Sequence, residues 1–355
     1  MIKKYLNKIA VAGLAAITLF MASGVDIATA HADEINPGYV RSVYTNEWIP
    51  AAQAATRPIA IMMPTDKIAQ PSYGISNADI LYEIMEEGDI SRQMAVINNW
   101  TGLSKIGNVR SCRAYYIPEA TEWDSILVHF GGVCYMKDRI TAPDINNISG
   151  TNQYGVGGGA PGAGAFFRTA DRKAPHNAYT SATGIINACA QLGYSTGLRP
   201  EFYNVKHFTF SNGVNTLEQY GAAAATANAI NLSKVFPYTK SAFTYNPADG
   251  MYYKTIHGKA QTDGLNNQQL KFANVIVQNT KWVKLDAKGY LYFQNIDTTE
   301  DGYYFTKGKC IHVTWKKMGD YTPTVYYDDF GNEIQLNEGK TYIAVAQKGR
   351  AVAFN

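Results

Sequence analysis

The sequence is poor in cysteine and in net charge, and each shortage excludes a class of protein. Its four cysteines are too widely spaced for a compact zinc knuckle, which needs thiols two to four residues apart. Outside the cell they could pair in any of three patterns, or they could stay as free buried thiols. The formal charge is only +3 over 355 residues. So weak a charge gives no electrostatic reason to bind nucleic acid or to coat an anionic membrane. The cysteines are Cys112, Cys134, Cys189 and Cys310.

Motifs for metals and nucleotides are also missing. The six histidines and the scattered acids show no spacing such as H-E-x-x-H, so we predict no metal site. The stretch 150–164 carries seven glycines. It does not match G-x-G-x-x-G within a strand–turn–helix unit, so we predict a flexible loop and no cofactor.

An export signal stands at the start of the chain. Lysines occur within the first eight residues, an apolar run follows over 9–22, and the small residues Ala30 and Ala32 precede acidic Asp33. This order predicts a signal peptide over 1–32, with an uncleaved signal anchor as the alternative. The apolar run is shorter than the roughly 20 residues that span a bilayer. We therefore expect a secreted or cell-wall-associated, extracytoplasmic protein with no stable membrane span after cleavage. Cleavage lowers the formal charge from +3 to +1.

The rest of the chain is long enough for two domains. We predict an N-terminal tether over 33–56, an α+β domain over 57–210, a linker over 211–233 and a β-rich domain over 234–355. The fold class is therefore α+β, with a mixed α/β N-terminal domain followed by a β-rich C-terminal domain.

Local patterns place elements in the N-terminal domain. An apolar run over 57–63 predicts a buried strand, and period-two alternation on both sides of Glu87-Gly88-Asp89 predicts a hairpin over 79–98. A helix is expected over 113–123, limited by Pro118, and a second buried strand over 124–130. Thr180 or Ser181 could cap a helix that runs to Leu192 and stops at Gly193.

The C-terminal domain shows many short strand-like runs between Gly, Asn and Asp turns. They cover 242–245, 251–256, 273–278, 289–296, 303–306, 311–316, 325–327 and 341–346. This domain is also rich in tyrosine and tryptophan. Aromatic faces can stack on sugars, but core packing is the expected role in strands.

Several long stretches of the sequence resemble the YerB-like envelope proteins. RPIAIMMP from Arg57, GISNADILYEIMEEGDISR from Gly74 and DSILVHFGG from Asp124 are similar to their N-terminal domain. ANVIVQ from Ala273 and DGYYFTKGK from Asp301 are similar to their C-terminal domain. The resemblance implies a two-part domain of unknown function, mostly in lipoproteins, with no established reaction. The sequence departs from the family in two ways: it lacks the lipid-anchoring cysteine, and Cys112 stands where the family usually has a small residue.

Acidic residues around the predicted hairpin are the first candidates for chemistry. Glu83 shares a strand face with Leu81 and Met85, where partial burial would raise its pKa and suit it to glycan cleavage with a second acid. The alternative is a cross-strand ion pair with Arg92, which would keep Glu83 ionised. The other acids of the hairpin are Asp79, Glu86, Glu87 and Asp89.

A set of arginines forms the second group of candidates. Guanidinium groups bind carboxylates and phosphates with two parallel hydrogen bonds, so these side chains predict an anion site, with internal ion pairing as the alternative. The predicted ligand-binding residues are Arg92, Arg110, Arg113, His129, Arg168, Asp171, Arg172, His176 and Asn177.

Cys112 with His129 or His176 could form an acyl-enzyme, but a disulfide or plain packing explains this thiol more simply. No complete catalytic signature is present. We therefore expect a non-catalytic envelope protein that binds a cell-wall polymer or an envelope protein partner. The alternative is an enzyme that cleaves or remodels peptidoglycan through paired carboxylates.

Overall fold

A computed structural model describes residues 37–151, 160–203 and 206–355. The predicted signal peptide lies outside the described residues, and so does the middle of the glycine-rich stretch. Across these three ranges, no helix is both long enough and apolar enough to cross a membrane.

Short strands make up most of the regular structure. In the first part of the chain they are β1 (Tyr39–Arg41), β2 (Trp48–Pro50), β3 (Ile59–Pro64), β4 (Ile80–Met85), β5 (Ser91–Ile97), β6 (Ile106–Gly107), β7 (Ile126–His129), β8 (Asn147–Ser149), β9 (Phe166–Arg168), β10 (Ala178–Thr180) and β11 (Thr209–Phe210).

The later part of the chain adds β12 (Ala225–Thr226), β13 (Ala229–Asn231), β14 (Ala242–Asn246), β15 (Met251–Ile256), β16 (Lys259–Ala260), β17 (Lys271–Phe272), β18 (Asn274–Thr280), β19 (Trp282–Lys284), β20 (Leu291–Phe293), β21 (Thr298–Thr306), β22 (Lys309–Lys317), β23 (Val325–Tyr327), β24 (Gln335–Leu336), β25 (Thr341–Gln347) and β26 (Ala353–Phe354).

Helices are few and mostly short in the described ranges. The α-helices are α1 (Ala51–Ala54), α2 (Ile117–Thr121), α3 (Lys137–Ile140) and α4 (Ala182–Leu192). Single 3-10 turns cover Lys67–Ala69, Ile75–Asn77, Glu87–Asp89, Ala114–Tyr116, Cys134–Met136, Ala163–Ala165 and Glu218–Ala223. The regular structure of the described residues is therefore mostly β, which is compatible with the expected α+β class, while the mixed α/β character of the N-terminal domain stays a prediction.

One mixed sheet runs through most of the structure. Its strand order is β12-β22-β21-β18-β25-β4-β5-β3-β7-β8, and β23 pairs with β22. Strands β3, β4 and β25 are buried along their whole length. Continuous apolar runs such as IAIMM in β3 fit strands that are covered on both faces.

The two parts of the chain join inside this sheet. Strand β25 pairs in parallel with β4 over Thr341–Val345 and Ile80–Ile84, and it pairs in parallel with β18 on its other side. A strand from the end of the sequence therefore lies between an N-terminal strand and a C-terminal strand. The hydrophobic core is continuous across this junction.

A second sheet has the order β16-β15-β14-β13-β26, and β17 also pairs with β15. Its strand β15 (MYYKTI) alternates between partly buried and buried residues, as expected for a sheet with one face on the core.

Most of the predicted local elements are present. The hairpin forms from β4 and β5 on either side of Glu87–Asp89, and the helix predicted to end at Leu192 forms as α4. The helix expected over 113–123 forms as a 3-10 turn followed by α2, and Pro118 lies in the first turn of α2 instead of limiting the helix. Ser181 caps α4, since its Oγ accepts a hydrogen bond from the Gly184 N–H at 3.1 Å. Gly193 ends it in the left-handed conformation (φ 71°).

Two segments differ from the expected tether and linker. The described part of 33–56 contains the β1–β2 hairpin and α1. Within 211–233, β12 pairs with β22 of the large sheet and β13 pairs with β14 of the second sheet. These strands have weak sequence signals because two or three residues are too few to show a period-two pattern.

Candidate functional site

The ends of several parallel strands meet at one edge of the large sheet. Strands β3, β7 and β8 are parallel, and β4 runs the same way because both β3 and β4 are antiparallel to β5. The residues that follow these strands therefore converge, as ligand-binding residues do at the carboxyl ends of strands in α/β folds. They include Asp66 after β3, Glu86 and Glu87 after β4, and Gly131 after β7.

A segment that follows β6 crosses this edge and carries two arginines. The Arg110 N–H donates to the Met62 carbonyl at 2.9 Å, and the Arg110 carbonyl accepts from the Phe130 N–H at 2.8 Å. The Cys112 N–H donates to the Gly131 carbonyl at 2.9 Å. These backbone bonds fix Arg110 and Arg113 beside the ends of β3 and β7.

Arg92 and Arg113 are held in place by acidic neighbours. Arg92 donates to the Ser111 carbonyl at 2.6 Å and lies 2.8 Å from Glu86 Oε2. Arg113 donates to Glu87 through two nitrogens, with Nε to Oε2 at 3.1 Å, and lies 3.5 Å from Glu86 Oε2. Both guanidinium groups also donate to Ser111 Oγ, at 2.8 and 2.9 Å. Two buried positive charges are thus oriented by two carboxylates.

Arg110 has no such carboxylate. Its Nη1 lies 3.1 Å from His176 Nδ1. Within the described ranges, no carboxylate oxygen lies within 4.0 Å of its guanidinium. The Asp66 carboxylate lies near this pair, with its Oδ2 4.0 Å from His176 Nδ1. We call Arg92, Arg110, Arg113 and His176 the arginine site.

The pKa shifts at the arginine site reflect its burial and its excess of positive charge. Burial and the neighbouring Arg92 lower the pKa of Arg110. Burial and the Arg110 charge likewise lower the pKa of His176. Burial raises the pKa of Glu86 despite its two arginine neighbours. Glu86 Oε1 and Arg92 Nε are buried polar atoms with no hydrogen-bond partner in the described structure.

Arg172 lies next to the arginine site but has a structural contact. Its guanidinium donates to the carbonyls of Ala69 and Pro71, at 2.6 and 2.8 Å. It therefore fixes the turn that follows β3. Arg172, one of the predicted ligand-binding residues, therefore has a structural role next to the arginine site.

Arg168, Asp171 and Asn177 form a separate, surface group around the β9–β10 pair. Arg168 donates to Asn177 Oδ1 at 2.7 Å and lies 4.9 Å from the centre of the Phe130 ring. Asp171 accepts from the Tyr179 hydroxyl at 3.3 Å. The structure gives these three residues no contact with Arg92, Arg110 or Arg113 within the described ranges.

His129 is fully buried at the end of β7. Its Nδ1 lies 2.8 Å from the Gly131 carbonyl and its Nε2 lies 3.3 Å from Asn147 Oδ1. Burial lowers its pKa, so this imidazole is neutral and fixes the turn after β7. Because its side chain is fully enclosed, His129 does not contact a ligand at the arginine site.

Glu83 is the centre of a buried polar network. Its carboxylate accepts from Ser91 Oγ at 2.7 Å, Ser241 Oγ at 2.9 Å and the Tyr342 hydroxyl at 2.9 Å, and it lies 3.1 Å from Lys254 Nζ. Both charged side chains are 0% exposed. Burial acts to raise the pKa of Glu83, but Lys254 and the hydrogen bonds outweigh it and lower this pKa.

The expected rise in the pKa of Glu83 is therefore wrong, because Lys254, a distant partner that no local pattern could pair with Glu83, favours the ionised carboxylate. The alternative ion pair with Arg92 is not formed either, since Arg92 contacts Glu86. A general acid must hold a proton near neutral pH and reach its substrate, and an enclosed, ionised Glu83 does neither.

The cysteines are all free thiols, and Cys112, Cys189 and Cys310 are buried while Cys134 is exposed. Burial raises the pKa of Cys112 to about 12, which leaves it protonated and unreactive at neutral pH. Across the described ranges, no three His, Cys, Asp or Glu side chains are placed to hold a metal ion.

A pair of buried carboxyl groups, Glu119 and Glu122 of the α2 region, was not identified from the sequence. Glu122 accepts from Lys317 Nζ at 2.6 Å and Thr324 Oγ1 at 2.8 Å. Glu119 accepts from Asn295 Nδ2 at 2.8 Å. The three-residue spacing of the two glutamates on a predicted helix could have placed them on one face. Their burial depends on partners from the other end of the chain.

Comparison with known proteins matches this architecture to one family. Residues 44–195 match the N-terminal domain, and residues 232–343 the C-terminal domain, of a family described as a protein of unknown function (DUF3048). "Putative lipoprotein YerB" of Bacillus subtilis is 27% identical over 291 residues, which are 81% of each chain. The crystal structure of the YerB protein from Bacillus subtilis has a TM-score of 0.72 at 21% identity and covers 88% of this chain and 99% of its own. With both halves of the domain matched in order, this chain belongs to the DUF3048 family and shares its two-part architecture with YerB.

Proposed function

We propose that this protein acts outside the plasma membrane and binds an anionic group of a cell-wall polymer at the arginine site. The observation that carries the proposal is Arg110, a partly exposed guanidinium with no carboxylate oxygen within 4.0 Å among the described residues. A relative named as a lipoprotein supports an envelope-associated role.

The neighbours of Arg110 prepare it for an anion. Arg92 and Arg113 are immobilised by Glu86, Glu87 and Ser111, so the positive field around Arg110 is fixed before any ligand arrives. Arg110 itself keeps N–H groups that are not used by a protein carboxylate. A carboxylate or a phosphate would accept two parallel hydrogen bonds from such a group.

An enzyme that cleaves peptidoglycan is the rival function. Such an enzyme needs two accessible carboxylates with different pKa values. Glu119 and Glu122 have pKa values shifted in opposite directions, but both are fully buried. Glu83 is enclosed and ion-paired. Of the partly exposed carboxylates at this edge, Glu87 is ion-paired with Arg113 and Asp66 lies 4.0 Å from His176. Arg110 is the charged group of the arginine site without such a carboxylate partner, and we therefore favour binding over cleavage.

The test measures retention of the purified protein on intact cell wall and, in the same samples, release of soluble fragments. We expect Arg110→Ala to weaken retention at least ~10-fold, because hydrogen bonds to charged groups contribute about 1.5–3 kcal/mol. Arg41→Ala is the matched control. It removes the same charge from a side chain that contacts Asn46, Trp48 and Glu338 and no residue of the arginine site.

Equal retention of the Arg110→Ala and Arg41→Ala variants would contradict the proposal. Release of wall fragments by the wild-type protein would replace binding with catalysis. Retention that survives removal of wall phosphates would identify carboxylates of the peptide stems or lactyl groups as the ligand.

A further inference from the structure

A cavity of about 300 Å³ opens between the turn after β3 and the turn that joins β15 to β16. Its walls come from both parts of the two-part domain. It is lined by Lys67, Gln70, Pro71, Ile256, His257, Lys259, Ala260, Gln261 and Thr262. We call it the lysine cavity.

The charged groups of the lysine cavity have one sign. Lys67 and Lys259 are exposed, and neither has a carboxylate oxygen within 4.0 Å among the described residues. No acidic residue is among those that line the cavity. His257 Nε2 lies 2.8 Å from the Thr65 carbonyl, which fixes the imidazole at the rim.

The floor of the cavity is neutral and rigid. Gln261 is 1% exposed, and its amide exchanges two hydrogen bonds with the amide of Gln93, at 2.7 and 3.2 Å. Gln93 in turn donates to Glu83 at 3.0 Å. Because Lys254 neutralises Glu83, the carboxylate behind the floor does not repel an anion.

The lysine cavity and the arginine site share one short wall. Asp66 approaches His176 of the arginine site, and the next residue, Lys67, lines the cavity. Asn108 Nδ2 ties this wall to the arginine site by donating to the carbonyls of Ala69 (3.2 Å) and His176 (2.8 Å). The Cα atoms of consecutive residues are about 3.8 Å apart, so at Asp66 and Lys67 the arginine site and the lysine cavity are separated by the width of one turn.

We propose that the lysine cavity binds a second anionic group of the same ligand, so that the ligand is a chain with repeated charges, such as a phosphodiester polymer. This inference rests on the proposed function of the arginine site. The cavity volume lies at the small end of ligand pockets, which suits one small charged unit and not a bulky head group.

Two linked sites bind a chain more tightly than a single group, because the second contact becomes intramolecular. The affinity of the wild-type protein should therefore increase with chain length. Double substitution Lys67→Ala with Lys259→Ala should remove that increase. It should leave the binding of a single anion at Arg110 unchanged.

Isothermal titration calorimetry with defined probes tests this expectation. The probes are inorganic phosphate, linear polyphosphates of increasing length, and a glutamate monomer with poly-L-glutamates of increasing length. The proteins are wild type, Arg110→Ala, the Lys67→Ala/Lys259→Ala pair, and the control pair Lys309→Ala/Lys316→Ala. The control removes two lysines of β22, a strand that does not line the cavity and lies far from β3 and β7 in the order of the large sheet.

We expect a gain of at least ~10-fold from monomer to chain in wild type and in the control pair, and no gain in the Lys67→Ala/Lys259→Ala pair. The series that shows the gain identifies phosphate or carboxylate as the repeated group. Equal loss in the control pair would mean unspecific charge attraction and would overturn the inference. Binding of a single anion through Arg110 without any gain would overturn the inference but leave the proposed function standing. Failure of every probe to bind would overturn both.

Discussion

Glu119 shows how far a buried carboxyl group can depart from its ordinary behaviour. Burial and the neighbouring Glu122 charge raise the pKa of Glu119 to about 8. Burial also acts against ionisation of Glu122, but Lys317 and two hydrogen bonds lower its pKa. One member of the pair is therefore protonated at neutral pH while the other is ionised. The network ties the α2 region to β22 and the turn before β21.

We expect Glu119→Gln to flatten the pH dependence of folding. The folded pKa lies above the unfolded value of about 4.3, so the folded state keeps a proton that the unfolded state releases. Stability from this group is fully present below the unfolded pKa and is lost as the pH rises to about 8. Glutamine resembles the protonated acid and does not titrate.

Urea unfolding at pH 5, 6.5 and 8 measures the effect. The wild type should lose about 1 kcal/mol per pH unit more than Glu119→Gln over this range. Glu201→Gln, at an exposed position, is the control and should follow the wild type. Parallel curves for wild type and Glu119→Gln would show that Glu119 is already ionised in the folded protein.

At the scale of elements, α4 is the helix whose limits the sequence predicts best. Ser181 caps its first turn and Gly193 ends it with a positive φ. Ile185, Ala188 and Cys189 are buried on its inner face. Cap, periodicity and stop signal are all local, so they could be read without knowledge of the fold.

Ser181→Ala should lower the free energy of unfolding by about 1 kcal/mol, because the Gly184 N–H loses its hydrogen-bond acceptor. Thr183→Ala is the matched control at an exposed position of the same helix, and alanine's helix propensity should make that change neutral or slightly stabilising. Urea unfolding of the three proteins gives the answer. Losses of equal size in both variants would show that side-chain loss in general, and not the cap, is responsible.

The β4–β5 hairpin and the C-terminal strands were predictable for the same reason as α4. Period-two alternation, turn residues and apolar runs are local signals. Strands β12 and β13 gave no such signal. They have only two and three residues, which are too few to show a period-two pattern.

For the candidate site, too, the sequence indicated the residue types but not their positions in the fold. The residue types of the arginine site indicated anion binding, and Arg92, Arg110, Arg113 and His176 do come together. The sequence could not distinguish these four residues from Arg168, which lies on the surface, or from His129, which lies in the core. It also could not show that Lys254 neutralises Glu83, since that contact spans the two parts of the chain.

The whole molecule is organised by the shared sheet. Two family segments are recognisable in the sequence, yet β25, which begins at the end of the second segment, lies between β4 of the first segment and β18 of the second. The buried contacts of Glu83 with Lys254 and of Glu122 with Lys317 cross the same junction. Neither segment can bury its share of the core without the other.

We therefore expect residues 37–355 to unfold as one cooperative unit. Differential scanning calorimetry should show a single transition whose calorimetric enthalpy equals the van't Hoff enthalpy. Two resolved transitions, or a calorimetric enthalpy well above the van't Hoff value, would show that the two family segments unfold independently.

The position of β25 also sets an order of events during synthesis. It follows all other strands of the large sheet in the sequence, yet it occupies a central place. Until the ribosome has made it, the edge of β4 over Ile80–Ile84 has no partner on that side. An unpaired, apolar strand edge invites pairing with other chains. A nascent chain of this protein must therefore be kept apart from its neighbours until β25 has been made.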